Sequence, residues 1–171
     1  MRFTLELAET LRSVCPDDKP LFTRISSVDG IDGGWTIEDS VVLARELKAR
    51  GVDVIDCSSG GLMGSATAAR IKRQPGFQVP FSERIRRDAD IKTMAVGLIL
   101  DGEQAEQILR SDQADLIAIG REALHNPNWA LHAEAQLGCQ GNFESWPEQY
   151  GWWLDKRQQS MERQQKNQAA A

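Results

Sequence analysis

The chain has 171 residues, 41% of them apolar and 26% charged, with 20 basic against 25 acidic residues and a net charge of −5. These values suit one soluble globular domain and exclude a disordered, collagen-like or disulfide-framework chain. The tail 155–171 holds four basic and two acidic residues, so the remainder is more acidic than the whole, the wrong sign for a phosphate-backbone binder. No run approaches the roughly 18 apolar residues of a membrane span, and the charged opening MRFTLELAETLRS lacks a signal-peptide core. Cys15, Cys57 and Cys139 are odd in number and lack CxxC spacing, which points to a reducing cytoplasm. His125 and His132 form neither an HExxH nor a three-histidine set, so no metal site is expected.

The apolar pattern alternates between two periods. Residues 3–14 place Phe3, Leu5, Leu7, Ala8, Leu11 and Val14 on a helical face. LFTRIS at 21–26 is the first predicted strand. Thr36 with Asp39 resembles a capping box, opening a helix with Ile37, Val41, Ala44 and Leu47 on one face and Gly51 as its stop. VDVIDC at 52–57 is the second strand, and the stretch 60–78 after it is longer than an ordinary connection. A helix is predicted over 80–87, a strand over 93–98, and a helix capped by Asp101 with Ala105, Ile108 and Leu109 inward. LIAIG at 116–120 is the fourth strand, followed by a helix over 127–137 that Gly138 ends. From Trp146 the pattern breaks into an aromatic, semi-ordered segment to Arg157, and 158–171 is a polar low-complexity tail expected to be disordered.

Short Val/Ile-rich strands separated by single helices define an α/β fold with a parallel sheet, either doubly wound or part of a barrel. Ligands in such folds bind at the C-terminal ends of the strands. Gly97 and Gly120 lie at two of those ends, and Arg121 follows Gly120 directly. Glycine lets a phosphate approach the backbone, and a guanidinium can clamp it. Arg24 is a charge inside an otherwise apolar strand, which fits either a buried pair with Asp29, Asp53 or Asp56 or an Arg facing an electron-rich ligand edge. Cys57 reads as a small buried apolar residue. Ser58 and Ser59 suit a ligand contact or a turn capping its own backbone. His125, His132 and the ERIRR run at 83–87 read as surface. Trp152 and Trp153 form a double Trp outside the core, which suggests packing against something, either this domain or a partner.

TRISSVDGIDGGWTIEDSVVLARELKARGVDVIDCSSGG, then AVGLI, then ADLIAIGREALHNPNWA resembles the C-terminal half of the old yellow enzyme family, and most closely its bacterial thermophilic-type and xenobiotic-reductase-like subgroup. The resemblance covers about residues 1–157. It implies half of a TIM (β/α)8 barrel over 1–145, carrying the family's strands 5 to 8, with an aromatic C-terminal segment at 146–157. It implies an FMN-dependent NAD(P)H oxidoreductase that passes hydride from flavin to an activated alkene. Arg24 matches the Arg that contacts the isoalloxazine ring near N1 and O2. Gly97, Gly120 and Arg121 match the phosphate-binding positions, with Arg121 spanning phosphate and flavin edge. The DGIDGGWT loop matches a loop near the substrate opening. EQYGWWLDKR resembles a tail that reaches a neighbouring subunit's active site, with Trp153, or one residue earlier Trp152, as the intruding aromatic.

Family members are about twice as long, and the half preceding the helix at Phe3 supplies the first-strand flavin loop, a pyrimidine-reading Gln, a substrate-binding His pair and the catalytic Tyr. No catalytic residue is therefore expected among these 171, and the chain alone is expected to be inactive. Met1 stands at a variable internal position of the family's NRxRF motif and looks like an internal methionine of a longer gene. The expected partners are a second copy or a separately encoded N-terminal half. A half barrel that binds a phosphate-bearing metabolite without redox chemistry is the alternative.

Overall fold

A computed structural model of the chain describes residues 1–60, 72–139 and 143–169. Its elements are α1 (Arg2–Val14), β1 (Phe22–Ser26), α2 (Ile37–Lys48), β2 (Val54–Ser58), α3 (Val79–Ala89), β3 (Lys92–Ala95), α4 (Gly102–Arg110), β4 (Leu116–Ile117), α5 (Arg121–His125), α6 (Trp129–Gln136) and α7 (Glu148–Ala169). The four strands form one parallel sheet in the order β1-β2-β3-β4. Strands thus follow one another in space as in sequence, with helices between them. This is the α/β architecture of a partial (β/α)8 barrel. Most of the long connection expected at 60–78 lies outside the described residues.

Local chemistry accounts for the helix boundaries. Thr36 and Asp39 form a reciprocal capping box at the start of α2. Gly51, at φ +82°, turns the chain out of that helix, and Gly138, at φ +69°, follows α6. Asp101 accepts from the Gln104 N–H at the start of α4, while Gln104 Oε1 accepts from the Leu100 N–H. The predicted helix over 127–137 begins instead at Trp129, and a short α5 lies before Pro127. Pro127 has no N–H to continue a helical ladder and disfavours helical backbone at Asn126.

Two apolar clusters lie between sheet and helices. Ile25, Ile55 and Cys57 pack with Ala8, Val41, Ala44, Leu47 and Ile85. Ala95 and Ile99 pack with Val79, Ala105, Ile108 and Trp129. Alternate residues point to the other, concave side of the sheet. On that side Phe22 and Leu116, at the two sheet edges, are 43% and 40% exposed.

The expectation of a disordered tail over 158–171 is corrected for its described residues, because α7 continues to Ala169. Polarity and low complexity do not oppose a helix when the residues are Gln, Glu, Lys, Arg, Met and Ala, all good helix formers. Gln159 also donates to Asp155 at 2.8 Å and Gln158 to Glu162 at 3.1 Å, both one turn apart. Gly151 is the one buried residue of this helix.

Candidate functional site

The C-terminal ends of β3 and β4 open into a cleft of about 220 Å³, lined among others by Phe77, Gln78, Gly97, Gly120 and Arg121. Gly97, Gly120 and Arg121, singled out by their positions in the sequence, are therefore neighbours in space. Gly97 has φ +124°, and a Cβ on it would lie 3.1 Å from the Phe77 ring and 3.2 Å from Gln78 Cβ. Its carbonyl accepts from the Gly76 N–H at 2.9 Å, tying the segment before α3 to the end of β3. Gly120 differs, because a Cβ there would meet nothing within 4 Å. No neighbour crowds a side chain at 120, and its bare backbone leaves one wall of the cleft open. Arg121 is exposed and has no hydrogen bond or ion pair among the described residues. A free guanidinium beside two side-chain-free backbone positions is an arrangement that accepts an anion.

Three contacts brace this rim. The Ser59 N–H donates to the buried Gln78 Oε1 at 2.6 Å, linking the end of β2 to the cleft wall. Trp129 Nε1 donates to the Leu100 carbonyl at 2.8 Å. The Gly102 N–H donates to Gln136 Oε1 at 2.9 Å, so α6 is held against the β3–α4 connection. Sequence reasoning missed Gln78, whose only signal is a glutamine between Pro75 and Pro80 in a segment short enough to be rigid.

Arg24 lies on the same concave side of the sheet, on β1. Of the two readings open for it, a buried pair is not what the structure shows: its side chain is 72% exposed. β1 is an edge strand, and no strand or helix among the described residues covers its concave face. Of the three acidic partners considered, Asp29 accepts from the Trp35 N–H and Asp53 accepts from the Leu21 N–H and faces Arg12. Asp56 alone reaches Arg24, at 4.0 Å, while Arg24 Nε donates to Ser58 Oγ at 3.0 Å. Burial pushes the Asp56 carboxyl above its ordinary value, and the Arg24 charge partly opposes that.

The DGIDGGWT loop is tied down at both ends. The Trp35 N–H donates to Asp29, Trp35 Nε1 donates to Ser40 Oγ at 2.7 Å, and Ser40 Oγ donates to the Ser27 carbonyl. Ser59 Oγ donates to the Val28 carbonyl, 31 residues away in the chain, so this hydroxyl ties the end of β2 to the segment after β1 rather than capping its own turn. Cys57 is fully buried, and burial holds its thiol protonated well above the ordinary range. His125 and His132 are exposed.

Trp152 and Trp153 are not brought to the cleft. They stand on α7 as an edge-to-face pair with centroids 4.5 Å apart, 55% and 67% exposed, with Lys156 Nζ 5.7 Å from the Trp152 ring. Among the described residues no group of three His, Cys, Asp or Glu could hold a metal ion. None of the described helices is long and apolar enough to cross a membrane.

A family model described as the NADH:flavin oxidoreductase / NADH oxidase family matches residues 1–140. The NADPH dehydrogenase of Geobacillus sp. (strain WCH70) is 48% identical over 137 residues, covering 80% of this chain and 38% of that protein. The NADPH dehydrogenase of Bacillus subtilis (strain 168) is 46% identical over 139 residues, covering 81% and 39%. The chain therefore spans less than half the length of these curated relatives. Among solved structures, a DHODH from Eimeria tenella in complex with ferulenol gives a TM-score of 0.49 at 16% identity, over 68% of this chain and 32% of that one, too loose a likeness to carry an argument. On the family match and the identity to these relatives, the chain belongs to the NADH:flavin oxidoreductase / NADH oxidase family, FMN-dependent enzymes that work with a reduced nicotinamide nucleotide.

Proposed function

We propose that this chain supplies the FMN-binding part of an NAD(P)H-dependent oxidoreductase that reduces activated alkenes, with the rest of the site supplied by residues outside these 171. The observation that carries this is the meeting of Gly97, Gly120 and the unpaired Arg121 in one cleft at the strand ends. The phosphate end of FMN fits there, because the open space at Gly120 admits it and Arg121 makes no ion pair among the described residues, although Glu122 also lines the cleft. Arg121 would make charge-assisted bonds to the phosphate. Arg24 would face the ring edge near N1 and O2, where its positive charge favours the reduced, anionic form. Bound there, the group supplies hydride chemistry.

Among the described residues lining this cleft there is no His or Tyr to match the family's substrate-binding His pair and Tyr, and the chain alone is proposed to be inactive. Residues outside it, from a separately encoded half or a second copy, would pair with the open edges at β1 and β4. Trp153, or Trp152, would enter a neighbouring subunit's site from α7, where both rings are exposed. Three free cysteines support a cytoplasmic protein.

The test is titration of the 171-residue chain with FMN, riboflavin and inorganic phosphate, read by flavin fluorescence and calorimetry. Tighter binding of FMN than of either riboflavin or phosphate supports the reading. Phosphate binding with no preference for FMN favours the non-redox half barrel instead.

A further inference from the structure

Arg24 has two partners on β2 whose arrangement goes beyond an ordinary surface pair. Arg24 and Asp56 are register partners across β1 and β2, and Ser58 follows two residues on, facing the same concave side. Arg24 Nε donates to Ser58 Oγ at 3.0 Å. Ser58 is itself buried, and its hydroxyl lies 3.5 Å from the Ile25 carbonyl, to which it donates. Asp56 Oδ2 stands 4.0 Å from the same Nε, while Asp56 Oδ1 is buried with no hydrogen-bond partner.

Each feature bears on which part of the guanidinium remains free. Nε is the inner nitrogen, so engaging it leaves both terminal nitrogens of the fork available, and neither has a hydrogen-bond partner among the described residues. A long side chain on an open face would otherwise sample many rotamers. A buried hydroxyl that is itself hydrogen-bonded is a rigid acceptor. A half-buried carboxylate lacking its own hydrogen bonds is costly unless a cation lies near it. Arg24 is that cation, so Asp56 attracts the guanidinium toward β2 and also dilutes its charge.

We infer that Ser58 and Asp56 are positioning residues for Arg24, Ser58 by holding Nε and Asp56 by balancing its charge, so that the terminal fork is presented to a ligand over the concave face. The inference rests on the reading of Arg24 as a contact to the flavin ring. A fork held in this way can bond two acceptors on one planar edge, whereas a mobile one must be ordered at the moment of binding.

The test uses the 171-residue chain with 15N-labelled arginine, and FMN as the probe. In the free chain, the Arg24 Nε–H signal, identified by its loss in Arg24→Lys, is expected to exchange slowly with solvent. Ser58→Ala should bring it to the rate of fully exposed arginines, and Ser58→Thr should restore slow exchange. FMN binding should weaken roughly tenfold in Ser58→Ala, the scale of one hydrogen bond to a charged group, and recover in Ser58→Thr. Asp56→Asn should raise the midpoint potential of the bound flavin, because Arg24 then acts undiluted. Unchanged Nε–H exchange in Ser58→Ala overturns the role of Ser58. An unchanged or lowered potential in Asp56→Asn overturns that of Asp56. If Arg24→Ala leaves FMN affinity and potential unchanged, the flavin reading of Arg24 is what fails, while the exchange measurement still decides whether Ser58 holds the guanidinium.

Discussion

Gly97 and Phe77 approach so closely that a methyl group on the glycine would lie 3.1 Å from the ring. The glycine also has φ +124°, a conformation that L side chains rarely adopt. Steric and conformational demands therefore coincide at the residue that forms one wall of the cleft. Gly97→Ala is expected to destabilise the chain by about 1–3 kcal/mol, read as a lowered urea midpoint. Gly120→Ala, with open space around its Cβ, should leave that midpoint nearly unchanged while weakening FMN binding. Equal loss of stability in the two variants would contradict the distinction drawn between them.

The two strand-end arginines should separate in their effects. Arg24→Ala is expected to lower the reduction potential of bound flavin, since the reduced anion loses its counter-charge. Potentiometric titration of the flavin-loaded chain checks this. A potential equal to that of the unaltered chain would remove Arg24 from the ring edge.

Asp56 provides a pH-dependent test of the concave face. Its folded carboxyl is raised above the ordinary 3.8 chiefly by burial, with Arg24 acting in the opposite sense. The fold therefore favours the protonated form. That contribution is full below the unfolded value and is lost as pH rises through the folded one. At neutral pH the charge is a penalty, and Asp56→Asn is expected to raise Tm there. The gain should shrink as pH falls toward the folded pKa. A gain independent of pH would show that charge is not its cause.

Asp39 has the opposite sign. Hydrogen bonds from the Thr36 backbone and hydroxyl hold its carboxyl below the ordinary value. Its stabilisation is present above the unfolded value of about 3.8 and is lost as pH falls through the depressed folded one. In Asp39→Asn, the acid limb of the Tm profile should lose this component, and an unaltered limb would count against the capping box.

Much of this was legible in the sequence because it depends on neighbours in the chain. Thr36 with Asp39, Asp101, Gly51 and Gly138 mark helix ends through hydrogen bonds or backbone angles that span a few residues. Gly120 and Arg121 are adjacent, and Gly97 closes the preceding strand, so their meeting follows from strand order alone. The choice between a buried and an open Arg24 depends on what covers β1, which is not local information. The Arg24–Ser58 bond is likewise a register property, joining residues that are 34 apart in the chain. Gln78 is invisible for the same reason, its partner being Ser59 on another element. The helix over 158–169 is hidden by low complexity, because helix propensity belongs to the residue types and not to an apolar pattern.

The aromatic pair and the helical tail can be tested together by truncation. Deleting 150–171 should remove most of the helical signal of α7 and weaken self-association, while Trp152→Ala and Trp153→Ala, at exposed positions, should change stability by less than about 0.5 kcal/mol. Sedimentation velocity and circular dichroism of the three variants check both parts. Unchanged sedimentation in all of them would leave the aromatic pair with no role in assembly.

The chain is expected to give no NADPH-dependent enone reduction above that of free FMN. Turnover well above free FMN, measured at saturating nucleotide, would show that the 171 residues hold a complete site.

Arg121 as the phosphate clamp is the central claim and has the most direct test. The measurement is FMN and riboflavin affinity, side by side, for the unaltered chain and Arg121→Ala. Loss of a charge-assisted bond to phosphate predicts FMN binding about 10- to 100-fold weaker, with riboflavin binding falling much less, because it has no phosphate and loses only the contact to the flavin edge. Equal affinities of both ligands for the two proteins, or an equal fall for both ligands, would contradict the cleft at Gly97, Gly120 and Arg121 as the phosphate site.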